Sequence, residues 1–254
     1  MTTEPGTLYL IPTPLGRNAE QTGLPADTIR VLRSITHFAV ENLKNAVSFL
    51  KFCEHPRQEF ELFFYSLDKN TPARDAHSYM DVLRQGHDLG VLTDAGCPGI
   101  ADPGAMMAGL AHQQGYRVVP LVGPSSILLA LMASGLNGQQ FAFSGYLPIE
   151  KKKRRSTIAE IEKHSSRNRE TRIFMEAPYR NMELFNDIIE ICSDSTLICI
   201  ATNLTLKDEY VATKSVAAWK SGPLPDIDKK PSIFLLHAEN YLQSASRSTK
   251  KRRY

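Results

Sequence analysis

Three short stretches concentrate residues that leave the main chain bare: 12-PTPLG-16, 94-DAGCPGIADPG-104 and 123-GPSS-126. Each comes at the end of an apolar run of strand length: 8-LYLIP-12, 89-LGVLTD-94 and 117-RVVPLV-122. Glycine lets a ligand approach the backbone, and free N–H groups at a helix start favour anionic groups such as carboxylates. Ser125 and Ser126 can cap a helix or offer hydroxyls and amides to a ligand. One such loop is turn chemistry alone; three on the C-terminal rim of a parallel sheet make a ligand site. Cys97 invites a nucleophilic reading, but no partner stands near it in sequence, and a small residue that fits tightly is the simpler account. The first loop is not G-x-G-x-x-G and the chain has no G-x-x-x-x-G-K-[ST], which disfavours a Rossmann dinucleotide site and a P-loop.

The elements that must position these loops follow from apolar runs and turn signals. Strands are predicted at 8–12, 35–41, 60–66, 89–94 and 117–122, with helices at about 27–33, 44–52 and 71–85. A further helix is capped by Asp102, carries Pro103 in its first turn and stops at Gly115, and another follows Ser126 and ends near Gly135. Alternation of this kind predicts an α/β fold with a mainly parallel sheet covered on both faces. The run 151-KKKRR-155 breaks the composition and marks a linker or domain edge. Beyond it come helices near 155–164, 179–192 and 216–220 and strands at 171–176, 196–202, 209–214 and 232–238. The expected organisation is therefore two α/β domains, residues 1–146 and 147–240, with a basic tail at 241–254.

Composition narrows the class. A 42% hydrophobic and 22% charged chain is an ordinary globular protein. The start MTTEPGT lacks the basic and apolar parts of a signal peptide, and 127-ILLALMASGL-136 is too short to span a bilayer, so a cytoplasmic location is expected. Four scattered cysteines without C-x-x-C, and histidines without H-E-x-x-H, indicate neither a disulfide framework nor a zinc site. Net charge is only +3, yet 151–155 and 247–253 are rich in lysine and arginine and contain no acid. Two such runs on an otherwise acidic body point to a polyanionic partner, since lysine and arginine gain affinity by releasing phosphate counterions.

The ordered series LYLIPTPLG, TDAGCPGIADPG, VVPLVGPSSILLALMASGL, FSGYLP with its basic run, and IFMEAPYR resembles the tetrapyrrole-methylase superfamily over about residues 7–238. Within it, the series is similar to the small-subunit ribosomal RNA 2′-O-ribose methyltransferases. That resemblance implies two α/β domains, S-adenosylmethionine in the cleft between them, an RNA substrate that is ribosomal, and a homodimer. It implies cofactor contacts from Pro14, Leu15 and Gly16, from Asp94, Gly96, Cys97 and Ile100, from Ser125 and Ser126, and from Met175.

The chain also departs from that branch. Where relatives carry A-E-D-T-R, 39-AVENLK-44 keeps Glu41 but has Asn42 and Lys44; where they carry A-R-E-L-T-K, 201-ATNLTLK-207 has Thr202 and Asn203. The stretch 174-FMEAPYR-180 retains Glu176, Pro178 and Arg180. Methylating a ribose hydroxyl requires a base, for which the resemblance offers Glu41 and Glu176, with Lys44 and Arg180 to position phosphate. The altered positions leave two alternatives open: a methylase of a tetrapyrrole or other small substrate, or a catalytically impaired protein that binds the cofactor and RNA.

Overall fold

The computed structural model describes residues 4–16, 23–68 and 70–238, and the basic tail at 241–254 lies outside the described residues. The chain divides into two compact units, Met1–Ser125 and Ser126–Tyr254.

The first unit holds β1 (Thr7–Ile11), α1 (Ala26–Ser34), β2 (His37–Val40), α2 (Leu43–Phe52), β3 (Phe63–Ser66), α3 (Ala73–Arg84), β4 (Leu89–Leu92), α4 (Gly104–Gln113) and β5 (Arg117–Pro120). Its sheet runs β3-β2-β4-β1-β5 with every pairing parallel. The connections through α1 and α2 step one way across the sheet and those through α3 and α4 step the other way. Right-handed crossovers therefore place the two helix pairs on opposite faces. Side-chain alternation along the strands feeds both cores. Ile11, Phe38, Val40 and Leu92 pack with Leu32, Ala46 and Leu50, while Leu8, Ala39, Leu89 and Val91 pack with Met80, Leu83, Met107 and Leu110.

One predicted strand is shorter than its apolar run. Residues 60–61 belong to a 3-10 turn, Glu59–Glu61, and only Phe63–Ser66 pairs. The cause is a capping box in which the Gln58 N–H donates to the Glu61 carboxylate at 2.8 Å, a local bond that takes these residues out of the ladder.

The second unit holds α5 (Ser126–Ser134), β6 (Phe141–Tyr146), α6 (Lys151–Asn168), β7 (Thr171–Met175), α7 (Asn181–Ile191), β8 (Leu197–Thr202), β9 (Tyr210–Ser215), α8 (Val216–Ser221) and β10 (Ser232–His237). Its sheet, β6-β7-β10-β8-β9, is mixed, because only β6 and β7 pair in parallel. The link at 203–209 is too short for a helical crossover, so β8 and β9 form a hairpin. Phe174 and Phe234 stack at 6.1 Å within a core shared with Ile158, Ile161, Leu184 and Trp219. The indole N–H of Trp219 donates to the Ile198 carbonyl at 3.0 Å, which satisfies the ring's one polar atom.

The basic run is no linker. It forms the first turn of α6, and its members have different tasks. Arg154 is buried and donates to Asp187 at 2.8 Å and to the Ile149 carbonyl at 3.0 Å; Arg155 reaches Asp187 and Glu190. Only Lys151, Lys152 and Lys153 are fully on the surface, and Lys153 is paired with Glu150. A buried carboxylate that loses its partners, or a buried guanidinium that loses its acceptor, costs far more than a surface charge. Asp187→Ala is expected to destabilise the fold by about 3–5 kcal/mol in urea denaturation. Lys152→Ala should stay within about 0.5 kcal/mol of the wild type. Equal small effects at both positions would show that the α6–α7 ion pairs contribute nothing.

Candidate active site

Parallel strands end on a common rim, and β1 and β4 are neighbours whose connections leave toward opposite sides of the sheet. A crevice opens where adjacent strands diverge in this way. The β1 and β4 loops are zipped together there by a two-way backbone bridge. The Thr13 N–H donates to the Gly96 carbonyl at 2.9 Å, and the Gly96 N–H donates to the Thr13 carbonyl at 3.1 Å. The Thr13 hydroxyl adds a bond to the Thr93 carbonyl at 3.1 Å.

The β5 loop closes on the same pair. The Cys97 thiol donates to the Pro124 carbonyl at 3.3 Å, and burial followed by the nearby Asp102 carboxylate pushes that thiol above its ordinary range. Cys97 is thus a packed hydrogen-bond donor rather than a thiolate nucleophile. Gly96 has φ +81°, a left-handed conformation that a side chain would strain, although a Cβ there would meet nothing nearer than 3.5 Å. Gly123 is required for the opposite reason: a Cβ would stand 2.4 Å from that of Pro12.

Asp102, the expected N-cap of α4, stands one residue before the actual cap, Pro103, and accepts from the Gly104 N–H at 2.7 Å and from the Gly99 N–H at 2.8 Å. Its carboxylate is spent inside the protein.

Beside these loops lies a cleft of about 550 Å³ within the first unit. Thr13, Pro14, Leu15, Gly16, Thr93, Asp94 and Ala95 form its loop wall, and α2 forms the other with Lys44, Asn45, Ser48, Phe49 and Phe52. The rim between them is stitched by side chains. Asn42 accepts from the Asn45 N–H at 3.2 Å, the Asn45 amide donates to Asp94 at 2.8 Å, and the Asp94 N–H reaches Glu41 at 3.4 Å. Glu41 follows the end of β2 and its pKa is raised. Burial is the main cause, the Asp94 amide pulls the other way, and the carboxylates of Asp94, Asp102 and Asp68 add to the rise.

Of the residues singled out from sequence, Pro14, Leu15, Gly16, Lys44 and Asp94 share this cleft. Gly96 and Cys97 stand in the adjoining bridge, and Ile100 is half exposed with its N–H bonded back to Cys97. Ser125 ends the β5 loop and Ser126 opens α5.

Met175 closes β7 in the second unit, half-buried and in register with Ile233 and Tyr146. Glu176 is buried, accepts from the Ala177 N–H at 2.7 Å and is ion-paired with Arg180. That pair braces the turn Pro178–Arg180, and Glu176 raises the pKa of Arg180 further. Both bonds reach a single oxygen, Glu176 Oε1, while Glu176 Oε2 and Arg180 Nε are buried without a hydrogen-bond partner.

Sequence reasoning missed Asn45, Ser48, Phe49 and Phe52. Their spacing of i, i+3, i+4 and i+7 is one helix face, but the same apolar residues read equally well as core. Only the burial of Ala46, Leu50 and Cys53 on the neighbouring face tells the two apart.

The packing of the loops has a direct test. Gly123→Ala should lower stability by about 1–3 kcal/mol by thermal or chemical denaturation, because the Pro12 ring cannot yield without moving the β1 loop. Gly138→Ala, where a Cβ meets nothing within 4 Å, serves as the neutral control. Indistinguishable stabilities would mean that the β1 and β5 loops are not locked against each other.

No family model matches the chain. Among curated proteins it is similar to the ribosomal RNA small subunit methyltransferase I of Vibrio cholerae serotype O1, with 30% identity over 92% of this chain and 77% of that protein. The protein of the same name from Escherichia coli O157:H7 is 31% identical over 93% and 78%, and that of Bacillus subtilis 34% over 80% and 65%. Solved structures share the fold: the methyltransferase CobJ has a TM-score of 0.59 at 14% identity, covering 92% of this chain and 94% of that one. The uroporphyrin-III C-methyltransferase of Thermus thermophilus has a TM-score of 0.52 at 18% identity, with 92% of each covered. With two relatives at 30% identity or more aligned over three quarters of their length, this chain belongs to the ribosomal RNA small subunit methyltransferase I family, among the S-adenosylmethionine-dependent tetrapyrrole methylases.

Proposed function

We propose that the chain transfers a methyl group to a ribose 2′-hydroxyl of small-subunit ribosomal RNA, acting as a homodimer. The observation that carries this reading is the rim itself. Side-chain-poor loops are bridged at Thr13 and Gly96 beside a cleft that also holds Lys44 and adjoins Glu41.

The residues present fit S-adenosylmethionine. Pro14–Gly16 and Asp94–Ala95 offer main chain with few side chains in the way, and Asp94 offers a carboxylate fixed by Asn45. When bound, that cofactor supplies an electrophilic methyl group on a sulfonium. The protein's own task is alignment, exclusion of water and removal of one proton.

Glu41 is the base in this reading and Glu176 is not, because Glu176 is buried and committed to Arg180 and to the Ala177 amide. A carboxylate with a raised pKa is a better proton acceptor than an ordinary one. Lys44, on the first turn of α2, holds a phosphate next to the reacting ribose. The surface lysines Lys151, Lys152 and Lys153 add a sequence-independent attraction for the RNA backbone.

Two experiments test this. Tritiated S-adenosylmethionine should label ribosomal RNA from small subunits of cells lacking the gene, and mass spectrometry of the digest should find the methyl on ribose. Label on a base, or only on small molecules, would overturn the assignment. Glu41→Gln should lower kcat by about 10²–10⁴-fold with cofactor affinity unchanged. Because Glu41 must be ionised to accept the proton, the wild-type rate should fall as pH drops through a value above the usual carboxylate range. Glu41→Gln should lack that acid limb, and retention of the limb would assign the base elsewhere.

A further inference from the structure

Of the α2 wall of the cleft, Asn45 holds the β4 loop through Asp94, while Phe52 has no such task. Asn45, Ser48, Phe49 and Phe52 recur at i, i+3, i+4 and i+7, so they form one stripe along the helix beside the stripe of Ala46, Leu50 and Cys53 that enters the core; Phe49 is half-buried against that core, and Phe52 is the aromatic left outside it. Phe52 is 58% exposed, although it closes a helix whose neighbouring residue, Cys53, is only 3% exposed. An aromatic ring kept half in water on the wall of a 550 Å³ cleft is not completing the core. Lys44 stands on the first turn of the same helix and lines the same cleft, so the wall carries a cation and an aromatic face together.

We propose that the α2 wall, through Phe52 and Phe49, receives one unstacked nucleobase of the RNA, with Lys44 on its phosphate and Ser48 and Asn45 beside its edge. The proposal rests on the ribose-methylation reading and goes beyond it by stating how the nucleotide is held. Proteins that recognise RNA by sequence take single-stranded nucleotides whose bases are splayed out and stacked on aromatic side chains. Such a mode suits a reaction at the 2′-oxygen. Drawing the base into the cleft fixes the ribose against the rim at Glu41 and Asp94, and the lysine at the helix start neutralises the phosphate that follows.

The test compares Phe52→Ala, Phe52→Leu and Phe52→Trp in the full chain, with in vitro transcribed small-subunit ribosomal RNA as the probe. Filter binding gives RNA affinity, calorimetry without RNA gives cofactor affinity, and thermal melting reports the fold. Loss of one stacked base is worth roughly 5–150-fold in affinity. Phe52→Ala is expected to weaken RNA binding by about 10-fold or more within that range, with cofactor affinity and melting temperature unchanged. Phe52→Trp should restore binding and Phe52→Leu should not, because stacking needs a flat π face. Three results overturn the proposal: Phe52→Ala binding RNA as the wild type does, equal loss of cofactor affinity without RNA, or full rescue by leucine. If the wild type itself neither binds nor methylates this RNA, the ribose-methylation reading falls and takes this inference with it. A wild type that is active alongside an unaffected Phe52→Ala sinks the base-stacking wall alone.

Discussion

The candidate site depends on one short contact, the pair of backbone hydrogen bonds between Thr13 and Gly96. Strands β1 and β4 are neighbours, but their chains leave the rim toward opposite faces, and nothing in the sheet itself requires their loops to meet. The bridge makes them meet. It is possible because Gly96 adopts a left-handed φ that presents both its N–H and its carbonyl to Thr13, a conformation that costs other residues roughly 1–2 kcal/mol. Once the bridge is made, Gly123 can slide under Pro12 and Cys97 can reach Pro124, so a third loop is held by the first two. The glycines and prolines of these loops thus have separate tasks: one supplies a backbone angle, another a missing Cβ, and the prolines a rigid surface to pack on.

Much of this arrangement was legible in the sequence, for a physical reason. Ordinary turns do not need glycine, proline and aspartate at such density, and the parallel sheet follows from alternating strand and helix periods. What was not legible came from side chains with two plausible lives. The run 151-KKKRR-155 has the composition of a linker, and nothing local indicates that Arg154 meets Asp187 more than thirty residues along the chain. Glu176 and Arg180 have the types expected of a base and a phosphate clamp, and nothing local indicates that they also pair with each other through Glu176 Oε1 while Glu176 Oε2 and Arg180 Nε stay buried without a partner. Phe52 looks like core in any periodicity plot. In each case the deciding interaction lies in three dimensions, and the residue type alone is compatible with both outcomes. The mixed second sheet is a partial exception, since the shortness of the 203–209 link already forbids a parallel crossover between β8 and β9.

The positions where this chain departs from its relatives are not vacant. Thr202 is buried and shares a hydrogen bond of 2.9 Å with Ser232 across the β8–β10 pairing. Asn203 takes φ +50°, which asparagine tolerates better than most residues, and its amide donates to Asp208 at 2.7 Å. At this corner Thr202 has a neutral partner in Ser232, while Asn203 is held by the carboxylate of Asp208. Asn42 likewise serves as the N-cap of α2, and the helix it starts delivers Asn45 to Asp94. The cap bond and the Asn45–Asp94 bond act in series to hold the rim.

That chain of bonds also bears on why Glu41 is protonated more readily than an ordinary glutamate. Asn45 fixes Asp94, and a fixed Asp94 keeps a negative charge near Glu41 that solvent alone would let swing away. The same aspartate donates its own N–H to Glu41, which stops the repulsion from driving the two apart. A methyl donor that carries positive charge is held back by a site of excess negative charge, since that charge disperses as the methyl group leaves. Asp102 meanwhile turns one carboxylate oxygen to the Gly99 and Gly104 amides. The acids of the β4 loop thus contribute to backbone order and to the field at Glu41, and the cation of the cleft stands on the opposite wall as Lys44.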